Sequence, residues 1–178
     1  MQTLSGVLLV TSVWLAPAAF AAEANELSAE QSIRIDAPPA AVWAILGDFN
    51  GQPRWLPAAE RSQIVLGSNN RVGAIRQITR RDGTRVTERL LDYDGAQMRM
   101  AYTYVDGAVR SSDYFPVVTV KDGGNGTSIV QWSARFKRLA YWMDPPPEGQ
   151  DDKALVELYT RLYKLGLESL KQTVESGR

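Results

Sequence analysis

The chain has 178 residues, 44% of them hydrophobic, which suits one domain around one core. Its 20 basic and 20 acidic side chains cancel, so no global basic field draws it to nucleic acid or anionic lipid, and no nucleic-acid partner is expected. It has neither Cys nor His, which removes disulfides, thiol nucleophiles, Ser-His-Asp and Cys-His arrangements, the commonest general base and nearly all transition-metal sites; no metal and no cofactor is expected.

The amino terminus carries an uncharged apolar run, "LSGVLLVTSVWLAPAAF", ending in small residues with Ala19-Phe20-Ala21 as an A-x-A cleavage site. This reads as a secretory signal over residues 1–21, although "MQT" supplies no Lys or Arg. The competing reading is an uncleaved anchor, which Pro17 and the small residues disfavour. The mature chain is then expected to begin near Ala22 and to work in a periplasm, with a short extension over 22–27, a single domain over 28–178 and no stable membrane insertion after processing.

A first strand is expected over 28–36. After it, Pro38 and Pro39 suit a first helical turn, where a missing N–H costs nothing, and Val42, Ile45, Leu46 and Phe49 recur at helical spacing. Gly51 and Pro53 are read as ending that helix, with a second short helical piece before the next strand at 59–67. Four Asp-Gly pairs, at 82–83, 94–95, 106–107 and 122–123, then mark hairpin turns of an antiparallel meander. Its strands are expected at 72–80, 85–92, 97–105, 113–121 and 127–139, about seven in all.

The last strand alternates cleanly, with Val130, Trp132, Ala134 and Phe136 on one face and Gln131, Ser133, Arg135 and Lys137 on the other, so one face is buried and the other wet. A long amphipathic helix over 152–175 supplies the cover. Its polar arc holds Glu157, Arg161, Lys164, Glu168, Lys171 and Glu175, and Leu155, Leu158, Tyr159, Leu162, Leu165 and Leu170 oppose it. Gly166 lies within the apolar arc. Either it allows close helix–sheet packing or it roofs a cavity.

The candidate site follows from strand register. If Arg81-Asp82-Gly83 is a three-residue loop with Gly83 left-handed, Arg80 pairs with Thr84, Ile78 with Val86, Arg76 with Glu88 and Ala74 with Leu90. The flanking pairs are apolar, so Arg76 and Glu88 form an opposite-charge pair aimed at the core; a two-residue loop would set them on opposite faces. Because desolvation offsets the attraction within a buried ion pair, its place there has two explanations. It is a structural pair at a cavity rim, or Arg76 holds an anionic or carbonyl group of a ligand while Glu88 orients it or acts as acid or base. Met98, Met100, Tyr102 and Tyr104 alternate onto one face, with Trp132 and Phe136 on the same concave side; with Leu162 and Gly166 from the helix they outline an adaptable apolar pocket. In "LAYWMDPPPEGQDD", Tyr141 and Trp142 stand on a proline-stiffened loop and are candidates for contact with a protein partner.

The order strand, paired short helices, meander and long terminal helix resembles the helix-grip fold of the START, Bet v 1 and polyketide-cyclase-like superfamily. The resemblance covers about 32–174 and is most specific in "DAPPAAVWAILGDFNGQPRWLP", with "WSARF" and the terminal helix agreeing. It implies an α+β domain in which a curved seven-stranded antiparallel sheet wraps a long C-terminal helix and a hydrophobic ligand lies between them. On size, signal and fold the chain is also similar to MxaD-type periplasmic accessory proteins of bacterial methanol oxidation, which implies a periplasmic dehydrogenase or cytochrome as partner. Three functions are therefore carried forward. They are a periplasmic binding or accessory protein for a small apolar or amphipathic molecule, a docking factor for a redox enzyme, and a cofactor-free cyclase or dehydratase using Glu88, Arg76 and tyrosines.

Overall fold

The computed structural model describes residues 25–139 and 142–177. Seven strands form one antiparallel sheet: β1 (Leu27–Ile35), β2 (Ala59–Leu66), β3 (Ile75–Arg80), β4 (Arg85–Asp94), β5 (Arg99–Gly107), β6 (Ser111–Gly124) and β7 (Thr127–Arg138). Between β1 and β2 lie a short helix, α1 (Pro39–Leu46), and a 3-10 turn (Gln52–Arg54); the chain ends in the 25-residue α2 (Asp152–Ser176). The sheet order is β1-β7-β6-β5-β4-β3-β2, a meander closed by returning the first strand beside the last. This is the helix-grip architecture, with the sheet's concave face on α2.

Local chemistry explains the elements. Pro39 opens α1 at the position where a missing N–H is harmless, and Val42 and Leu46 bury its inner face. α1 ends at Leu46, before the Gly51 and Pro53 expected to end it, and Pro53 sits within the first turn of the 3-10 piece that follows. The β3–β4 hairpin has the expected three-residue form. Gly83 adopts φ +80°, the Gly83 N–H donates to Arg80 O, and the Arg80 N–H donates to Thr84 O at 2.8 Å. Asp82 Oδ1 accepts from the Thr84 N–H and hydroxyl, and these bonds hold its carboxyl below the usual range.

Two expectations about turns are corrected. Met98 belongs to the β4–β5 turn with φ +48°, outside the alternating strand, although it still packs against the core. The β6–β7 turn is Asn125-Gly126, both at positive φ, and not Asp122-Gly123, which lies inside β6 beside a bulge. An Asn-Gly pair takes the twist-matched two-residue turn more readily than Asp-Gly three positions earlier, so the strands run on to it.

Asp151 caps the start of α2, its side chain accepting from the Ala154 N–H. Leu155, Tyr159, Tyr163, Leu167, Leu170 and Val174 bury its inner face. Leu165, expected in the apolar arc, is 54% exposed because it falls at the arc's edge. Both ends of the helix are fastened. Arg138 pairs with Asp152 at 2.7 Å, the Lys171 ammonium donates to Arg34 O at 3.1 Å, and Glu175 accepts the Asp36 N–H at 2.8 Å. Among the described residues no helix is long and apolar enough to cross a membrane. The signal expected over 1–21 and residues 22–24 of the expected extension lie outside the described residues, as does Tyr141, while Leu27, the last residue of that extension, opens β1.

Candidate functional site

The sheet brings Arg76 and Glu88 side by side in the register read from the sequence. Both are buried, at 2% and 4% exposure. Arg76 donates from Nε (2.8 Å) and Nη2 (2.6 Å) to the same oxygen, Glu88 Oε2, and from Nη1 to Phe49 O. The guanidinium lies 4.1 Å from the Phe49 ring centroid and 5.3 Å from that of Tyr102. Three N–H donors are thus spent on protein acceptors, and the guanidinium lies against two aromatic rings tilted 56° to each other. Arg76 thus turns these donors to the protein and is not among the residues that line the cavity. It clamps Glu88 and ties β3 to the chain leaving α1.

Glu88, by contrast, lines the inner cavity. Oε2 takes both Arg76 bonds, while Oε1 receives no donor among the described residues. The cavity also holds Gln52, Leu56, Ala58, Ile78, Arg80 and Val86, together with Tyr102, Tyr104, Tyr114, Trp132 and Leu162. Its volume is about 50 Å³, which takes a few water-sized groups. Aromatic packing is what keeps it small. Tyr104 stacks on Tyr114 at 4.2 Å between centroids, Tyr114 on Tyr159 at 5.0 Å, and Trp132 on Tyr163 at 4.4 Å.

The phenols form two short hydroxyl links from sheet to helix: Ser111 to Tyr159 at 2.7 Å and Tyr114 to Tyr163 at 2.9 Å. Burial pushes the hydroxyls of Tyr102, Tyr104, Tyr114, Tyr159 and Tyr163 above the usual phenol range, and the Glu88 charge adds to this at Tyr102. They stay protonated and offer donors. Among the described residues the buried indole N–H groups of Trp55 and Trp132 meet no acceptor within hydrogen-bond distance. The site thus combines one fixed carboxylate oxygen, neutral phenols and unspent donors in an aromatic shell.

Of the residues anticipated from sequence, Glu88, Tyr102, Tyr104, Trp132 and Leu162 meet around this cavity. Arg76 stands behind Glu88, and Met100 is buried opposite Tyr93, outside the lining. Gly166 is closely packed on its inner side and also lines a groove between α2 and the segment after the 3-10 turn. A Cβ there would come within 2.9 Å of Leu56 Cδ1 and 3.0 Å of Trp132 Cζ3, so the inner face of the glycine is occupied. Trp142 is 72% exposed. Sequence reasoning missed Gln52, Tyr114 and Tyr163. Tyr163 lies one helical turn after Tyr159 and was available from that spacing; Tyr114 follows a β-bulge that resets the strand's alternation.

Comparison with known proteins fits this geometry. The solution or crystal structures most alike include the protein XoxI from Bacillus cereus, with TM-score 0.72 and 26% identity over 83% of this chain and 94% of that one. Zhui aromatase/cyclase from Streptomyces sp. R1128, at TM-score 0.69 and 18% identity over 84% of this chain and 94% of that one, shares the fold. Among curated proteins of Arabidopsis thaliana, MLP-like protein 423 is 29% identical over 124 residues, 64% of this chain and 78% of that one. Abscisic acid receptor PYL2 is 26% identical over 140 residues, 77% of this chain and 72% of that one. The family model described as polyketide cyclase / dehydrase and lipid transport matches residues 26–175, and the chain belongs to that family.

Proposed function

We propose that this protein binds a small, largely apolar molecule carrying a hydrogen-bond donor, seated between sheet and helix with its donor on Glu88. The observation that carries the reading is the division of labour within the ion pair: Arg76 holds one carboxylate oxygen, and the other is left to the cavity. A carboxylate fixed in this way does not collapse onto a ligand or need reorienting, which lowers the ordering cost of binding. The aromatic shell supplies the apolar contacts and the neutral phenols a secondary set of donors.

The test compares n-hexanol with its methyl ether by calorimetry in wild type and in the double variant Arg76→Met/Glu88→Leu. Removing both partners avoids stranding a charge, so the fold is expected to survive. Wild type should prefer the alcohol by a factor of ten or more, the order of one charge-assisted hydrogen bond, and the double variant should lose that preference. Equal binding of alcohol and ether by wild type would overturn the reading.

The enzyme reading uses the same carboxylate. There Glu88 serves as general base and the phenols as donors to a developing oxyanion, and Glu88→Gln abolishes turnover while leaving affinity nearly intact. A docking role is favoured by a different observation, the exposure of Leu139, Trp142 and Met143 on the segment before α2. For that role we propose a periplasmic partner such as methanol dehydrogenase or its cytochrome, and Trp142→Ala should weaken the complex without changing alcohol binding. We further propose export with cleavage before Ala22; the intact mass of periplasmic material checks it, and retention of Met1 in a membrane fraction would refute it.

A further inference from the structure

Outside the inner cavity, a shallow apolar groove of about 330 Å³ runs between the segment after the 3-10 turn and α2. Leu56, Pro57 and Ala58 form one wall, and Leu162, Leu165 and Gln172 are spread along the other. Three residues, Leu56, Ala58 and Leu162, line both spaces. Leu56 is the partition. Its side chain fills the gap over Gly166, whose missing Cβ is what makes room for it.

We propose that groove and cavity are two compartments of one site for a single-chain amphipath, with the alkyl tail in the groove, the donor head at Glu88, and Leu56 as the gate. The inference rests on the binding reading above and extends it. At about 50 Å³ the inner cavity has room for a head and little more, so a ligand of any length must continue elsewhere. The groove is the adjoining space with a shared wall, and its lining is mostly apolar, with Glu168, Ser169 and Gln172 the polar members. It also explains Leu165, a leucine 54% exposed on a helix whose other outward positions here, Lys164 and Glu168, are charged.

The moving part is built for small displacement. α2 is fastened at both ends and through the Tyr159 and Tyr163 hydroxyls. The opposing segment is held by local turns, by Arg81, which donates from Nε to Pro57 O at 2.7 Å and from its N–H to Ala58 O at 3.2 Å, and by the buried Trp55. Leu56 can change rotamer between those anchors while helix and sheet stay in place.

The experiment is a homologous series of n-alkan-1-ols, butanol to dodecanol, titrated calorimetrically into wild type and Leu165→Asp. Leu165 contributes no buried core, so the variant should fold as wild type does. In wild type, affinity should rise roughly fourfold per added methylene, the burial increment of one CH₂. Leu165→Asp should leave butanol unchanged and weaken dodecanol tenfold or more. A flat series beyond butanol, or equal dodecanol binding by both proteins, would overturn the two-compartment site. The preference for alcohol over ether reports the Glu88 contact separately, so loss of that preference with the length increment intact would refute the head site alone.

Discussion

At Gly166 the space a side chain would need is taken by Leu56 and Trp132. A rotamer change relieves the first, but the Trp132 ring is held by its stack on Tyr163 and moves less easily. Gly166→Ala should therefore lower stability by about 1–3 kcal/mol in a denaturant titration, the usual cost of overpacking, despite the gain in helix propensity. A stabilised variant would mean that the inner face of α2 is looser than these distances state. Arg76 and Glu88 are the second residue-scale case. Because each is the other's buried counter-charge, Arg76→Met or Glu88→Leu alone should cost about 3–5 kcal/mol. The double variant should cost clearly less than the sum, with a coupling of about 0.5–3 kcal/mol, and strict additivity of the three measured stabilities would refute the pair.

Among elements, the β3–β4 hairpin was the most legible in sequence, because one glycine at a left-handed position fixes the loop length and the loop length fixes which side chains face inward. That single inference placed Glu88 at the site. What Arg76 does there was not legible, since its second acceptor is a backbone carbonyl at Phe49, 27 residues away, which no side-chain pattern records. Helix α2 was legible in extent and only partly in face: a wheel ranks positions by angle, whereas the sheet's curvature decides that Tyr163 is buried and Leu165 is not. Its tyrosines make a further prediction. With folded pKa values above the ordinary value of 10.0, the buried phenols keep their protons where the unfolded chain begins to lose them. Stability contributed by them is fully present below pH about 10 and declines above it. Phenolate absorbance from these residues should consequently emerge together with cooperative loss of near-ultraviolet dichroism; a gradual rise in the still-folded protein would contradict their burial.

At the level of the whole molecule, strand order sets when the fold can close. β1 is made first, yet its neighbour in the sheet is β7, and it is packed over by α2. A growing chain has nothing for residues 27–35 to pair with until residues 128–136 are made, and no cover for the concave face until α2 follows. Contacts that join the two ends of a chain are costly to close early, which delays folding relative to synthesis. The practical meaning is a clock: for most of its time on the ribosome the polypeptide is a linear thread with a protected meander at best, and it becomes a closed object only when its last helix emerges.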